Sequence, residues 1–134
     1  MTTQTRTSTG KVVLGVVAAI AVASIGNAVV SSAAQALGAD PNAVEGLKPQ
    51  GYVVLTAVGV IIAAFAWSSI RKRAKDPART LAKLVPIVVV ISFLADVPVF
   101  FLPGASLIGV LALMLMHVVV ALVSVPIFHR VLPV

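Results

Sequence analysis

Long apolar runs alternate with short polar segments along this chain. The runs cover about residues 12–34, 51–70, 84–102 and 105–128. Each is close to the roughly 20 residues that a helix needs to cross the hydrocarbon core of a bilayer. The pattern predicts an all-α membrane protein: one integral membrane domain, 1–134, folded as an antiparallel four-helix transmembrane bundle. Between the runs lie three connections. The first, Gln35 to Gln50, holds Asp40, Glu45 and Lys48, and its Asp40-Pro41 pair predicts the cap and first turn of a short surface helix. The second reads RKRAKDPARTLAK over 71–83, where Asp76-Pro77 is a helix-start signal, so the third helix is expected to begin ahead of its apolar part. The third is the tight turn Pro103-Gly104. Tyr52 and Trp67 stand at opposite ends of the second run, where interfacial aromatic residues are expected.

Composition strengthens the membrane reading. Of the 134 residues, 60% are hydrophobic and 10% charged, against about 25% charged in a soluble domain. The mean hydropathy is +1.12. There are too few polar side chains to cover the surface of a soluble domain of this size, and a lipid solvent removes that conflict. There is no cysteine, which excludes disulfides, thiolate metal sites and a thiol nucleophile.

The net charge of +6 is localised rather than spread, with Arg71, Lys72, Arg73, Lys75, Arg79 and Lys83 all in the second connection. In a membrane protein this concentration points to orientation and anionic headgroups, and not to nucleic acid. An even number of spans puts both termini on the side of the 71–83 connection, and those termini carry Arg6, Lys11 and Arg130. Positive charge marks the cytoplasmic side, so both termini are expected there, in a multi-pass protein of the inner (plasma) membrane. Arg71, Lys72, Arg73 and Lys75 are candidate contacts for anionic lipid, although setting topology is sufficient to explain them. The first run also has features of a signal peptide, with basic residues before it and Ala34-Gln35-Ala36 after it. It exceeds the usual 7–15 apolar residues of such a segment, and a retained helix is the expectation.

Small residues recur every four positions in the first run: Gly15, Ala19, Ala23, Asn27 and Ser31. That spacing places them on one helix face, where a second helix can approach closely. Gly59 and Ala63 predict a similar face on the second helix. Gly109, His117, Ala121 and Ser124 fall near one stripe of the fourth. Ordinary helix packing accounts for the small residues.

Asp96 is the most informative position. A carboxylate in the hydrocarbon region costs a few kcal/mol, so it is expected to face the bundle interior or a wet cavity with a partner. Ser92 lies one turn earlier on the same face, and Pro98 removes the hydrogen bond to the Leu94 carbonyl. His117, near the middle of the fourth helix, can titrate or pair with another polar group. Depth along ideal helices from the Pro103-Gly104 turn is about 10 Å for Asp96 and about 20 Å for His117. Asn27 falls at about the depth of Asp96 when counted from Ala34. An Asn27–Asp96 contact is therefore expected rather than an Asp96–His117 pair. Asp96, Asn27, His117 and Ser92 form the candidate ligand or proton site, and a purely structural role stays open for all four.

No nucleophile elbow surrounds Ser92, Ser106 or Ser124, no glycine-rich phosphate loop is present, and two histidines without an acidic cluster are a poor metal site. No enzyme chemistry and no cofactor is expected. The stretch LADVPVFFLP, Leu94 to Pro103, leads into LALMLMHVVVALVSVPIFHR over 111–130. This resembles a family of uncharacterised four-helix membrane proteins of actinobacteria, a domain of unknown function. The resemblance implies a bacterial inner-membrane protein and brings no activity or site residue with it. The leading expectation is a binding or accessory protein contacting a lipid, a small hydrophobic ligand or a partner helix. The alternative is a proton- or cation-coupled transporter subunit, which at four helices would work as a homo-oligomer.

Overall fold

In a computed structural model of the protein, residues 7–134 are described. Four long helices form an all-α bundle: α1 (Thr9–Ala36), α2 (Pro49–Arg73), α3 (Pro77–Asp96) and α4 (Leu107–Val131). A 3₁₀ turn, Glu45–Leu47, precedes α2, and a second 3₁₀ segment, Val97–Phe101, continues α3. With that extension, all four are long and apolar enough to cross a membrane. Helices satisfy their own backbone groups, which is what a solvent of lipid tails demands. The outward surface is correspondingly apolar, with Leu14, Ile25, Val29, Ile62, Phe65, Leu94 and Leu122 all exposed. The molecule is a small polytopic membrane protein.

Local chemistry sets the helix ends. At the end of α1, Gly38 has φ +104°, and its N–H and that of Ala39 donate to the Gln35 and Ala34 carbonyls at 3.0 and 2.9 Å. This is the pattern of a Schellman stop, which favours glycine at the left-handed residue. α2 begins on Pro49, where a missing N–H costs nothing. It continues through Arg71, Lys72 and Arg73, three residues past the apolar run, placing cations at the negative end of its dipole. Asp76 caps α3 by accepting from the Arg79 N–H at 3.0 Å, and Pro77 opens the helix. Ser106 caps α4 by accepting from the Gly109 N–H at 3.2 Å. Between them the Ala105 N–H donates to the Leu102 carbonyl at 3.1 Å, with Pro103 and Gly104 at the corner and φ +79° at Gly104. Those are the residues and the positive φ of a type II turn.

The core lies in two clusters. One joins Ala19, Val60, Trp67, Leu81, Phe128 and Val131. Trp67 donates from Nε1 to the Leu132 carbonyl at 3.0 Å and meets Phe128 edge-on at 5.5 Å. It is buried in the bundle rather than facing outward as an interfacial belt residue, because its N–H finds a backbone acceptor there. The second cluster joins Ala34, Ala39, Val44, Leu47, Ala112, Leu113 and Met116. It draws the 35–50 connection over the bundle. That connection holds no surface helix at Asp40: the Asp40 carboxylate accepts from the Asn42 N–H at 2.8 Å and stabilises a turn instead.

All five small residues expected on the α1 face are buried. The α1–α4 contact is close: a Cβ added to Gly15 would come within 2.8 Å of the Val131 side chain. The corresponding expectation for α2 is not met. Gly59 and Ala63 are exposed, with open space around Gly59, and the buried face of α2 is formed by Gly51, Thr56, Val60 and Trp67. Close approach to the Glu45 carbonyl at Gly51 and the hydrogen bonds of Thr56 and Trp67 mark the inward side of that helix.

Candidate functional site: an acid and an imidazole between two helices

The polar residues of the spans separate into two groups. The first belongs to α1 and α2. Asn27 Nδ2 donates to Thr56 Oγ1 at 2.9 Å, and both residues are buried. One turn further along α1, the Ser31 hydroxyl donates to the Leu47 carbonyl at 2.5 Å and accepts from Gln35 Nε2 at 2.9 Å. These bonds tie α1 to α2 and to the connection between them. Thr56 escaped the sequence argument because threonine is common in membrane helices. The signal was there: it is the one hydroxyl between Val53 and Trp67 in the second run.

The second group lies between α3 and α4. Asp96 is the last residue of α3 and its side chain is 9% exposed, whereas that of His117 is 39% exposed. His117 Nδ1 stands 3.0 Å from Asp96 Oδ2. The same nitrogen lies 2.9 Å from the carbonyl of Leu113, one turn back on its own helix. A single N–H cannot point well at both, and Asp96 Oδ2 is left without a well-directed hydrogen bond. The acid and the imidazole are therefore adjacent, with Asp96 Oδ2 buried against the ring.

This arrangement overturns the expected Asn27–Asp96 contact, and the reason lies in the connection. α4 begins at Leu107, which puts His117 about 15 Å along its helix. Residues 97–101 rise as a 3₁₀ helix at about 2 Å per residue, which carries Asp96 to about 12 Å from Leu102. The apparent gap of two turns shrinks to about 3 Å, roughly half of one. Pro98 is the local cause: it cannot donate to the Leu94 carbonyl, and the α-helix ends at Asp96.

Ser92 does not join the pair. It is half-buried, and its hydroxyl donates to the Val89 carbonyl at 2.6 Å. Beyond the pair is an apolar groove of about 280 Å³, walled by Val97, Phe100, Phe101, Leu107, Val110 and Met114. Val97 adjoins Asp96 in the chain, and Met114 lies one turn before His117 on α4. Neither Asp96 nor His117 is part of its wall.

The cationic residues sit elsewhere. Arg71 is half-buried and donates from Nη1 to Thr7 Oγ1 at 2.7 Å, while Lys72, Arg73 and Lys75 are exposed. Among the described residues, no three His, Asp or Glu side chains are grouped in a way that could hold a metal ion.

Bundle and site together define a small multi-pass membrane protein with one intramembrane acid–imidazole pair. The chain belongs to DUF6069, a family of unknown function, and the match covers residues 3–134. No curated protein and no solved structure matches it.

Proposed function

We propose that this protein is a non-enzymatic binding or accessory protein of a bacterial plasma membrane, with its site at Asp96 and His117. One observation carries the reading: a buried carboxylate stands 3.0 Å from a part-exposed imidazole, and near neighbours of both in the chain, Val97 and Met114, wall an apolar groove. Sites for small hydrophobic molecules have this composition, apolar walls with a few fixed polar groups. The ligand such a site would take is a lipid or other amphiphile. Asn27 and Thr56, bonded to each other, are structural. The resemblance in the closing third of the sequence supports an actinobacterial source.

The helices are taken to run antiparallel, with both termini in the cytoplasm. Two contacts support this: Arg71 at the end of α2 reaches Thr7 before α1, and Trp67 reaches Leu132 after α4. The basic end is then cytoplasmic by the positive-inside rule, and the Asp96 site opens toward the outer face.

The test is native mass spectrometry of the full chain extracted in mild detergent. A bound amphiphile is expected on the wild type and absent from Asp96→Asn and His117→Leu. Full occupancy in both variants overturns the proposal. A second reading rests on the same 3.0 Å contact, since two titratable groups side by side can pass a proton. In that case oligomers in vesicles with a trapped pH dye would show proton flux that Asp96→Asn abolishes. Unchanged flux removes this reading.

A further inference from the structure

We infer that residues 87–101, the second half of α3 with its 3₁₀ extension, form a hinged arm that gates the apolar groove, with Pro86 as the hinge and the Asp96–His117 contact as the latch. That the groove binds a ligand rests on the reading given above; the hinge and the latch do not. The groove has two walls. Val97, Phe100 and Phe101 belong to the arm, and Leu107, Val110 and Met114 belong to α4. Any movement of the arm against α4 therefore widens or narrows it. Phe101 and Leu107 are exposed at the bundle surface, so the groove opens toward the bilayer.

Three features make an arm of this segment. First, it is thinly held. α1 buries Gly15, Ala19, Ala23, Asn27, Ser31 and Ala34 along its length, whereas α3 buries nothing between Leu81 and Asp96, and residues 97–101 bury nothing. Val89, Ser92, Phe93 and Val99 are half-buried, and the rest of the segment apart from Asp96 is exposed. Apolar burial adds little to helix association in lipid, where packing contact and hydrogen bonds decide. Second, Pro86 lies inside α3 and offers no N–H to the Ala82 carbonyl, so the helix bends most easily there. Below it, Leu81 is fixed in the core with Trp67 and Phe128. Third, the 3.0 Å contact of Asp96 with His117 is the one polar side-chain contact from residues 87–101 to another helix among the described residues. The Ser92 hydroxyl is spent on the Val89 carbonyl of its own helix. Asp96 stands about 15 Å beyond the hinge, where a single contact has a long lever. The link 102–106 reaches up to about 17 Å when extended, so it tethers the arm without fixing it.

The chain has no cysteine, so labels can be placed at chosen positions alone. In the full chain in lipid nanodiscs, spin labels on Leu94→Cys in the arm and Ile25→Cys in α1 report the arm's position by double electron–electron resonance. Both positions are exposed. Leu94 lies about 12 Å beyond Pro86, so a turn of about 20° at the proline carries it about 4 Å. A shift or a second population of that size is expected in His117→Leu and in Asp96→Ala. Restoring the helix bond with Pro86→Ala in the His117→Leu background should return the single wild-type distance. A control pair on Ile25→Cys and Ile62→Cys, both outside the arm, should not change. Reaction of Met114→Cys with a membrane-soluble maleimide reads the groove itself. Asp96→Ala should raise that rate roughly three- to eighteen-fold, the gain in open population from losing one interhelical hydrogen bond in a membrane. Adding Pro86→Ala should lower it again.

An unchanged Ile25–Leu94 distance in both latch variants overturns the proposal. So does a shift that Pro86→Ala leaves in place, or one shared by the Ile25–Ile62 control, since either describes a general loosening of the bundle. Distance and reactivity are measured without added ligand, so their failure is separate from that of the binding reading, which native mass spectrometry decides. A moving arm without a bound amphiphile removes the ligand and keeps the device; a bound amphiphile beside a fixed arm does the reverse.

Discussion

The α1–α4 seam and the α3 side of this bundle are built on different terms. Along the seam, Gly15, Ala19 and Ala23 bring the helix surfaces together, and α4 buries Val110, Met116, Ser124 and Phe128. On the other side α3 buries only Leu81 and Asp96, and most of its remaining length is exposed. In lipid, helices gain little from hiding apolar groups from one another, so close van der Waals contact and hydrogen bonds must hold them together. The seam has that contact. α3 has little of it, yet it carries the carboxylate that is costliest to place in a membrane. Stability and the candidate site are thus assigned to different parts of the molecule.

This contrast can be broken by substitution. Ala19→Leu places extra volume where exposure is 0%, against Phe128 and Val60, and should cost about 3 kcal/mol, the upper end for overpacking. Thermal or denaturant unfolding in detergent would measure it. A loss below that of every α3 substitution would remove the distinction drawn here. His117→Leu should come next, at about 1–2 kcal/mol, because it leaves the Asp96 carboxyl without its neighbour. Adding Asp96→Asn to it should recover part of the loss, and a double variant no more stable than His117→Leu alone would contradict the pairing.

Asn27→Ala and Thr56→Ala, taken as a double-mutant cycle, should show a coupling of about 0.6–1.7 kcal/mol, the range for interhelical hydrogen bonds in membranes. Neither should affect ligand occupancy at Asp96. The smallest effect belongs to Gly59→Ala, within about 0.5 kcal/mol of the wild type, because open space surrounds that position. The same change at Gly15 should be clearly destabilising. Equal effects at the two glycines would show that the seam is not where the packing resides.

The four helices were legible because their cause is local: an uncharged run of sufficient length has no other good conformation in lipid. The inward face of α1 was legible for a related reason, since small residues at four-residue spacing mark a close approach wherever the partner comes from. The partner of Asp96 was not. It depended on the rise of the five residues 97–101 around Pro98 and on where α4 begins, and each shifts the register of one helix against the other by several ångströms. Trp67 stands at the end of its helix as the run suggested, but its burial was not legible, because the Leu132 carbonyl that takes its N–H lies 65 residues away in the chain. Gly59 and Ala63 failed for the converse reason: spacing marks a possible face, and only the neighbouring helices decide whether it is used.

The α1–α4 seam joins stretches from opposite ends of the sequence, and this bears on the order of assembly. During synthesis α1 enters the membrane well before α4 exists, so its small-residue face must wait without its main partner. Asn27 need not wait in the same way. Thr56 and the Leu47 carbonyl follow close behind in the chain, and a hairpin of α1 and α2 already satisfies Asn27 Nδ2 and the Ser31 hydroxyl. The polar bonds can form early between sequence neighbours, and the tight apolar seam closes afterwards. Substitutions at Asn27 should accordingly weaken the early α1–α2 hairpin, whereas those at Gly15 act only once α4 is in place.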